Sequence, residues 1–208
     1  PWMDGYEDNL PQDVSANITA DAQIAAAKKT LEDAGYELGS DGYYAKGGKQ
    51  VAFGFTTIGD SNVTKNRAAA IQKMAKDAGM NITIDNKPSS DFSKTLVGGQ
   101  WDVFLLGWSS SSATYNNGGQ LFGSTSESNF THAGSKELDA KFLAVTGIED
   151  HAKQMKVFNE AEKEALKSYA FIPLYSGADV IVCKKGLANW GPALLLDIVT
   201  ENVGWEKE

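Results

Sequence analysis

The chain of 208 residues is poor in the groups from which strong sites are made: it has one cysteine, Cys183, one arginine, Arg67, and two histidines, His132 and His151. A lone cysteine excludes an intramolecular disulfide, and its place in the apolar run Val180-Ile181-Val182-Cys183 predicts a small core residue. The compartment stays open, because secreted proteins can do without disulfides. One arginine excludes planar capture of a carboxylate or phosphate by an arginine cluster. Lysine does not replace it: the formal net charge is -8, the pI is about 4.8, and no basic cluster is present to neutralise a nucleic-acid backbone. The histidines lack the His-Glu-x-x-His spacing of a zinc site and are expected at the surface. No window approaches the roughly 20 consecutive apolar residues that span a bilayer.

Motifs for catalysis are missing too. Gly47-Gly48-Lys49-Gln50 has neither the spacing nor the hydroxyl of a phosphate-binding loop, and no Gly-x-Ser-x-Gly elbow occurs. The carboxylates Glu160, Glu162 and Glu164 lie in a helical pattern, where solvation explains them. No enzyme activity, cofactor or metal is expected. There is no signal peptide, and the chain opens at Pro1, which suggests a piece excised from a longer protein.

What is present is an alternation of helix and strand patterns. Thr19 to Asp33 has a capping residue, an alanine-rich body and Gly35 as a left-handed stop. Asp41-Gly42 reads as a turn, and Gln50 to Thr56 as a strand. Asn62 to Ala78 is a second helix, with Ala69, Ile71, Met74, Ala75 and Ala78 near one face, ending at Gly79 before the strand Asn81 to Asp85. A short helix over Ser89 to Val97 leads through Gly98-Gly99 into a further strand. Helical spacing returns over Ser135 to Val145 and Glu149 to Tyr169, the latter with Ala152, Met155, Phe158 and Leu166 as its buried face. Phe171 to Tyr175 is extended, since Pro173 forbids helix, and Leu194 to Val199 is another apolar strand candidate. Such alternation implies βαβ crossovers and an α/β fold with a mostly parallel sheet flanked by helices.

The most informative stretch is Trp101 to Gly119. Val103 to Leu106 is a continuous apolar run, as in a strand covered on both faces. Gly107 then allows a turn, and Trp108 opens the loop Ser109-Ser110-Ser111-Ser112-Ala113-Thr114-Tyr115-Asn116-Asn117-Gly118-Gly119. A plain solvated connection would share its Ser/Asn/Gly composition. The flanking aromatics favour a surface that stacks on a ligand and hydrogen-bonds it. In open α/β sheets small molecules are held at that end of the strands.

Several segments occur in an order that resembles a known family. They are the helix ending Leu31-Glu32-Asp33-Ala34-Gly35-Tyr36, the turn Asp41-Gly42, and Ala68-Ala69-Ala70-Ile71-Gln72 running to Gly79 and Ile82-Thr83-Ile84. Phe92, Leu96, Gly99, Trp101-Asp102-Val103 and Gly107-Trp108 follow, then Phe122, Asn129, Gly134, Ser135 to Asp139, and a long helix before Ile172-Pro173-Leu174. Over about residues 16 to 183 the chain resembles the C-terminal lobe of the family 5 extracellular solute-binding proteins, the oligopeptide-, dipeptide- and nickel-binding components of ABC importers.

The resemblance implies a type II periplasmic-binding-protein-like lobe, residues 1 to 183, with a tail, 184 to 208, that crosses back to a missing N-terminal lobe. It implies a bacterial, extracytoplasmic protein, periplasmic or anchored as a lipoprotein, that closes by a hinge on a peptide or other small polar solute and hands it to a membrane permease. The ligand-facing residues it implies are Trp108, Ser109, Ser110, Ser111 and Tyr115, with Asn129 near the cleft rim. Trp108, Tyr115 and Phe122 should form an exposed aromatic patch on the isolated lobe. Peptide binders of the family often carry an aspartate where this chain has Ser111. Burying a peptide ammonium without that carboxylate is costly, so a glycan, a glycolipid head group or a capped peptide stays open beside a free peptide. An alternative reading is a lipoprotein of the same fold that serves as scaffold or regulator in cell-envelope glycolipid assembly. Four Asn-x-Ser/Thr triplets, at Asn17, Asn62, Asn81 and Asn129, would matter only in a glycosylating secretory pathway.

Overall fold

The computed structural model describes residues 19–108, 117–175, 181–191 and 198–206. They fall into two compact units, one within Leu10–Trp108 and one within Ser109–Glu208.

The first unit opens with α1 (Ala20–Asp33), whose N-cap Thr19 accepts a hydrogen bond from the Ala22 N–H at 3.3 Å. Its other end closes as the glycine predicted: Gly35 sits at φ 80°, its N–H donates to Glu32 O, and the Tyr36 N–H donates to Leu31 O. A small antiparallel meander follows, β1 (Glu37–Leu38), β2 (Tyr44–Lys46) and β3 (Lys49–Gln50). The Asp41-Gly42 turn is fixed by the Tyr43 N–H donating to Asp41 Oδ1 at 3.1 Å. Tyr44 is the peg of this region. Its ring is buried, its hydroxyl donates to Glu32 Oε1 at 2.6 Å, and its N–H donates to Gly79 O at 2.8 Å. The meander thereby ties α1 to the far end of the next helix.

The main sheet has β4 (Ala52–Ile58) at its centre, with β5 (Asn81–Lys87) on one side and β6 (Val103–Phe104) on the other, all parallel. Between β4 and β5 runs α2 (Asn62–Asp77). Phe53 and Phe55 alternate with Gly54, so both rings lie on one face, and the core there is Phe55, Ala68, Ala75 and Ile82 with Ile71, Met80, Ile84, Val103 and Leu105 packed around it. The buried side of α2 is therefore set one residue away from part of the predicted stripe: Ala69 and Met74 are exposed, whereas Ala68, Ala75 and Ala78 are buried. After β5, Pro88 starts a 3-10 turn, Ser89–Asp91, that continues as α3 (Phe92–Gly98) and stops at Gly99, φ 64°.

The strand predicted over Val103 to Leu106 is shorter than expected. Regular pairing covers Val103–Phe104, and the Leu105 N–H extends it by donating to Thr56 O at 2.9 Å. All four residues are half-buried rather than covered on both faces, because among the described residues β6 has one strand neighbour, β4.

The second unit contains α4 (Asn117–Phe122), α5 (Lys136–Thr146) and α6 (His151–Leu166). Ser135 caps α5 by accepting from the Leu138 N–H, and Asp150 caps α6 by accepting from the Lys153 N–H. The core is Leu121, Phe122, Leu138, Phe142, Val145, Phe158, Ala161, Ala165 and Leu166. Phe142 stacks on Phe122 with ring centroids 5.7 Å apart and meets Phe158 at 5.8 Å. The buried stripe of α6 departs from the predicted one: Gln154 and Glu162 are buried, Ala152 is exposed and Met155 is half-buried. Glu162, expected in water, is 0% exposed.

Beyond α6, Phe171 to Tyr175 is not part of a strand, and Ile172, Leu174 and Tyr175 are exposed. Cys183, expected in the core, is exposed, and so are its neighbours Ile181 and, at 88%, Val182. The described part of the tail forms a two-stranded antiparallel ribbon, β7 (Leu187–Ala188) with β8 (Gly204–Trp205). The strand candidate Leu194 to Val199 lies mostly outside the described residues.

Candidate functional site

The strand order β5-β4-β6 marks a candidate site. The chain leaves β4 toward β5 on one side, then returns past β4 to β6 on the other. In open α/β sheets the end of the strands where such an order changes direction is the usual place for a ligand, beyond their carboxyl ends.

Three loops gather at that edge. After β4 comes Gly59-Asp60-Ser61, after β5 comes Lys87-Pro88-Ser89, and after β6 comes Leu106-Gly107-Trp108. Gly59 is buried at φ 87°, its N–H donates to Lys87 O at 2.9 Å, and a Cβ there would stand 3.0 Å from Ser89 Oγ. The first two loops are thus in contact. Asp60 projects into solvent with its side chain 98% exposed, 4.0 Å from Lys65 Nζ. Ser61 holds the N-cap position of α2 without a side-chain capping bond. Trp108 is half-buried at the end of the third loop. The edge offers a hydroxyl, a carboxylate, the N–H groups of a helix start and an indole, which suits polar contact and stacking.

Of the residues predicted for the ligand face, Trp108 stands at this edge, while Ser109, Ser110, Ser111 and Tyr115 lie outside the described residues. Asn129 belongs to the second unit, where its side chain is buried. It is 4% exposed; its Nδ2 donates to Gly123 O at 3.1 Å and to Ala133 O at 2.9 Å, and its Oδ1 accepts from Thr131 Oγ1 at 2.8 Å. Both donor hydrogens are used inside its own loop, so Asn129 braces that loop. The same burial removes it as a glycosylation acceptor. The expectation for Phe122 is corrected: it is 4% exposed, stacked on Phe142 and edge-on to Phe171 at 5.1 Å, and so belongs to the core rather than to an exposed aromatic patch.

The Asn129 loop is tied to α5 by charge. Ser124 donates to Asp139 through its N–H at 2.8 Å and its Oγ at 2.5 Å. These two bonds, side chain first, hold the Asp139 carboxyl below its usual range. His132 stands in this loop at φ 55°, and both histidines are exposed. Among the described residues no group of three or more His, Cys, Asp or Glu could hold a metal ion. A surface hollow of about 560 Å³ lies elsewhere, at the turn between α5 and α6, lined by Thr146, Gly147, Ile148, Glu149, His151 and Gln154. Its one buried polar side chain, Gln154, already donates to Val145 O and Ile148 O. That hollow is a by-product of helix capping.

Sequence reasoning missed Gly59-Asp60-Ser61 and Ser89 at the edge. A glycine at a strand end followed by Asp-Ser and a helix start is the signal that marks the first group. It also missed Asp102, whose Oδ2 accepts from the Gly54 N–H at 2.7 Å.

The family described as "Bacterial extracellular solute-binding proteins, family 5 Middle" matches residues 1–130. Among curated relatives, the "Oligopeptide-binding protein OppA" of Mycobacterium tuberculosis is 24% identical over 204 residues, which is 98% of this chain and 33% of that protein. The chain thus spans about a third of the length of the relatives it matches. Two solved structures share the fold: NikZ from Campylobacter jejuni in complex with Ni(L-His), with TM-score 0.60, 22% identity and coverage of 69% of this chain and 29% of that one; and AppA from Bacillus subtilis in complex with a nonapeptide, with TM-score 0.60, 21% identity and coverage of 76% and 33%.

Proposed function

Because the chain belongs to the bacterial extracellular solute-binding proteins of family 5, we propose that it is the C-terminal lobe of a two-lobed receptor that captures a small polar solute for an ABC importer. In this reading residues 1–183 belong to the lobe, and 184–208 form the segment that crosses to the other one. The solute is held at the carboxyl edge of the parallel sheet, with Trp108 stacking on it and the Ser109, Ser110, Ser111 and Tyr115 loop hydrogen-bonding it. The observation that supports this reading is the order β5-β4-β6, in which Trp108 follows β6 at the carboxyl edge of the sheet.

Closure of a second lobe over this edge supplies the remaining half of the site. Affinity then comes from burial between two preformed surfaces, and one lobe alone binds weakly. The names of the relatives span an oligopeptide-binding protein, a nonapeptide complex and a nickel-histidine complex, so the fold leaves the solute class to the loops. With Ser111 where an ammonium partner would stand, the loop favours a peptide held without pairing its free amino group, or a neutral polar solute. In the full receptor the protein works outside the cytoplasmic membrane, tethered or periplasmic, and delivers its cargo to a permease. Among the described residues no helix is long and apolar enough to cross a membrane.

Native mass spectrometry of the longer polypeptide that carries this chain, as purified and after unfolding and refolding, tests the proposal. A mass excess that disappears on refolding is expected and reveals the chemistry of the solute. No adduct, followed by no binding across peptide and glycan libraries, would overturn the transport reading and leave a scaffold of the same fold.

A further inference from the structure

The ladder that fixes β6 is short. Among the described residues it consists of the pairs Phe55↔Val103 and Thr56↔Phe104 and the bond from Leu105 N–H to Thr56 O. A pairing this short specifies register weakly, and a slip of one residue would turn Val103 and Phe104 onto the opposite faces. It would also shift everything downstream by about 3.3 Å along the strand.

Two side chains stand just before the ladder. Trp101 donates from Nε1 to Leu96 O at 3.2 Å and packs edge-on to Phe104, centroids 5.7 Å apart, which joins the strand to α3. Asp102 does something different. Its carboxylate takes the Gly54 N–H at 2.7 Å, in line with the pairing that begins one residue later at Phe55 and Val103. A side-chain oxygen thus adds a rung to the ladder, and a bond to a charged acceptor is stronger than the neutral rungs beside it.

We infer that Asp102 is a positioning residue for the solute-holding loop: bonded to the Gly54 N–H, it locks the register of β6 and so decides where Gly107 and Trp108 emerge. The role in solute capture rests on the reading of Trp108 given above. Asp102 itself lies at the entry of β6 and Trp108 beyond its exit, about 20 Å along an extended chain, so Asp102 acts without touching the solute. Its side chain also explains why the apolar run of β6 is preceded by an acid at all. A plain hydrophobic residue at 102 would leave the Gly54 N–H without this acceptor.

The test needs no solute. The chain is labelled with 5-fluorotryptophan, the Trp108 resonance is assigned with Trp108→Phe, and Asp102→Ala, Asp102→Asn and Asp102→Glu are compared. The expected result is that Asp102→Ala displaces or broadens the Trp108 resonance while those of Trp190 and Trp205, in the other unit, stay in place. Asp102→Asn, whose amide oxygen still accepts, restores it, and Asp102→Glu, one methylene too long, does not. In parallel, the Gly54 amide of Asp102→Ala exchanges with solvent roughly ten- to a hundredfold faster. An unchanged Trp108 resonance in Asp102→Ala, or Asp102→Asn behaving like Asp102→Ala, would overturn the inference. If Asp102→Ala fails to fold, the Asn and Glu variants carry the comparison alone. A failure here leaves solute binding standing, and a failure to find a solute leaves the register lock standing.

Discussion

Replacing Gly79 by alanine should be among the most damaging single-methyl changes in the first unit. Gly79 sits at φ 80°, and a Cβ there would come within 2.5 Å of Tyr44 Cδ2 and 2.8 Å of Cε2. The backbone conformation alone costs an L-residue about 1–2 kcal/mol. The ring cannot swing away cheaply, because Tyr44 is 1% exposed and anchored by its hydroxyl to Glu32 and by its N–H to the Gly79 carbonyl. Forcing a methyl group against it adds an overpacking cost of roughly 1–3 kcal/mol. Together the loss is about 3 kcal/mol, or a fall in Tm on the order of 10–20 °C for a unit of this size. Gly47 is the internal control: it sits at φ 58°, and a Cβ there would have nothing within 4 Å, so Gly47→Ala meets the backbone cost and no ring. Thermal unfolding followed by circular dichroism compares the two. Equal losses for Gly79→Ala and Gly47→Ala would refute the claim that Tyr44 is clamped over Gly79.

Two further outcomes follow from the second unit. Asn129→Ala leaves the carbonyls of Gly123 and Ala133 and the Thr131 hydroxyl without their shared partner, and should cost about 2–4 kcal/mol in urea denaturation; a loss under about 0.5 kcal/mol, the scale of a surface change, would contradict the bracing role. Asp139 has its folded pKa lowered by Ser124, so its ionised form is the stabilising one. Its contribution is complete above the unfolded value and is lost as pH falls through the folded one. The stability gap between wild type and Asp139→Asn should therefore be constant above about pH 5 and shrink below about pH 4. A gap that widens toward acid in paired denaturation curves would reverse the assigned sign.

Local punctuation was the legible part of the fold. Thr19, Gly35, Asp41-Gly42, Gly79 and Ser135 each act over a few residues, and each does in space what its chemistry demands: a hydroxyl caps, or a glycine takes a positive φ. The faces of the helices were less legible, because burial is decided by partners remote in sequence. Gln154 is buried since two carbonyls at the end of α5 need its amide, a need that no spacing within α6 reveals. Phe122 and Cys183 exchanged their expected places for the same reason: Phe142 and Phe171 cover the first, while the second is exposed together with Ile181 and Val182. The position of Trp108 at the carboxyl edge of the sheet was legible because it follows an apolar strand run and a glycine directly. Gly59-Asp60-Ser61 and Asp102 were not, since their meaning depends on which strand lies next to which, and β6 beside β4 is a pairing of segments nearly 50 residues apart.

Whether a solute lies at the carboxyl edge of the parallel sheet is tested most directly by hydrogen exchange. The two-lobed receptor proposed above is compared as purified and after unfolding and refolding without solute. Amides of residues 59–61, 89–90 and 105–108 are expected to lose protection when the solute is removed, while those of the turn between α5 and α6 do not change. Loss of protection confined to other segments, with the three edge loops unaffected, would contradict a solute at that edge.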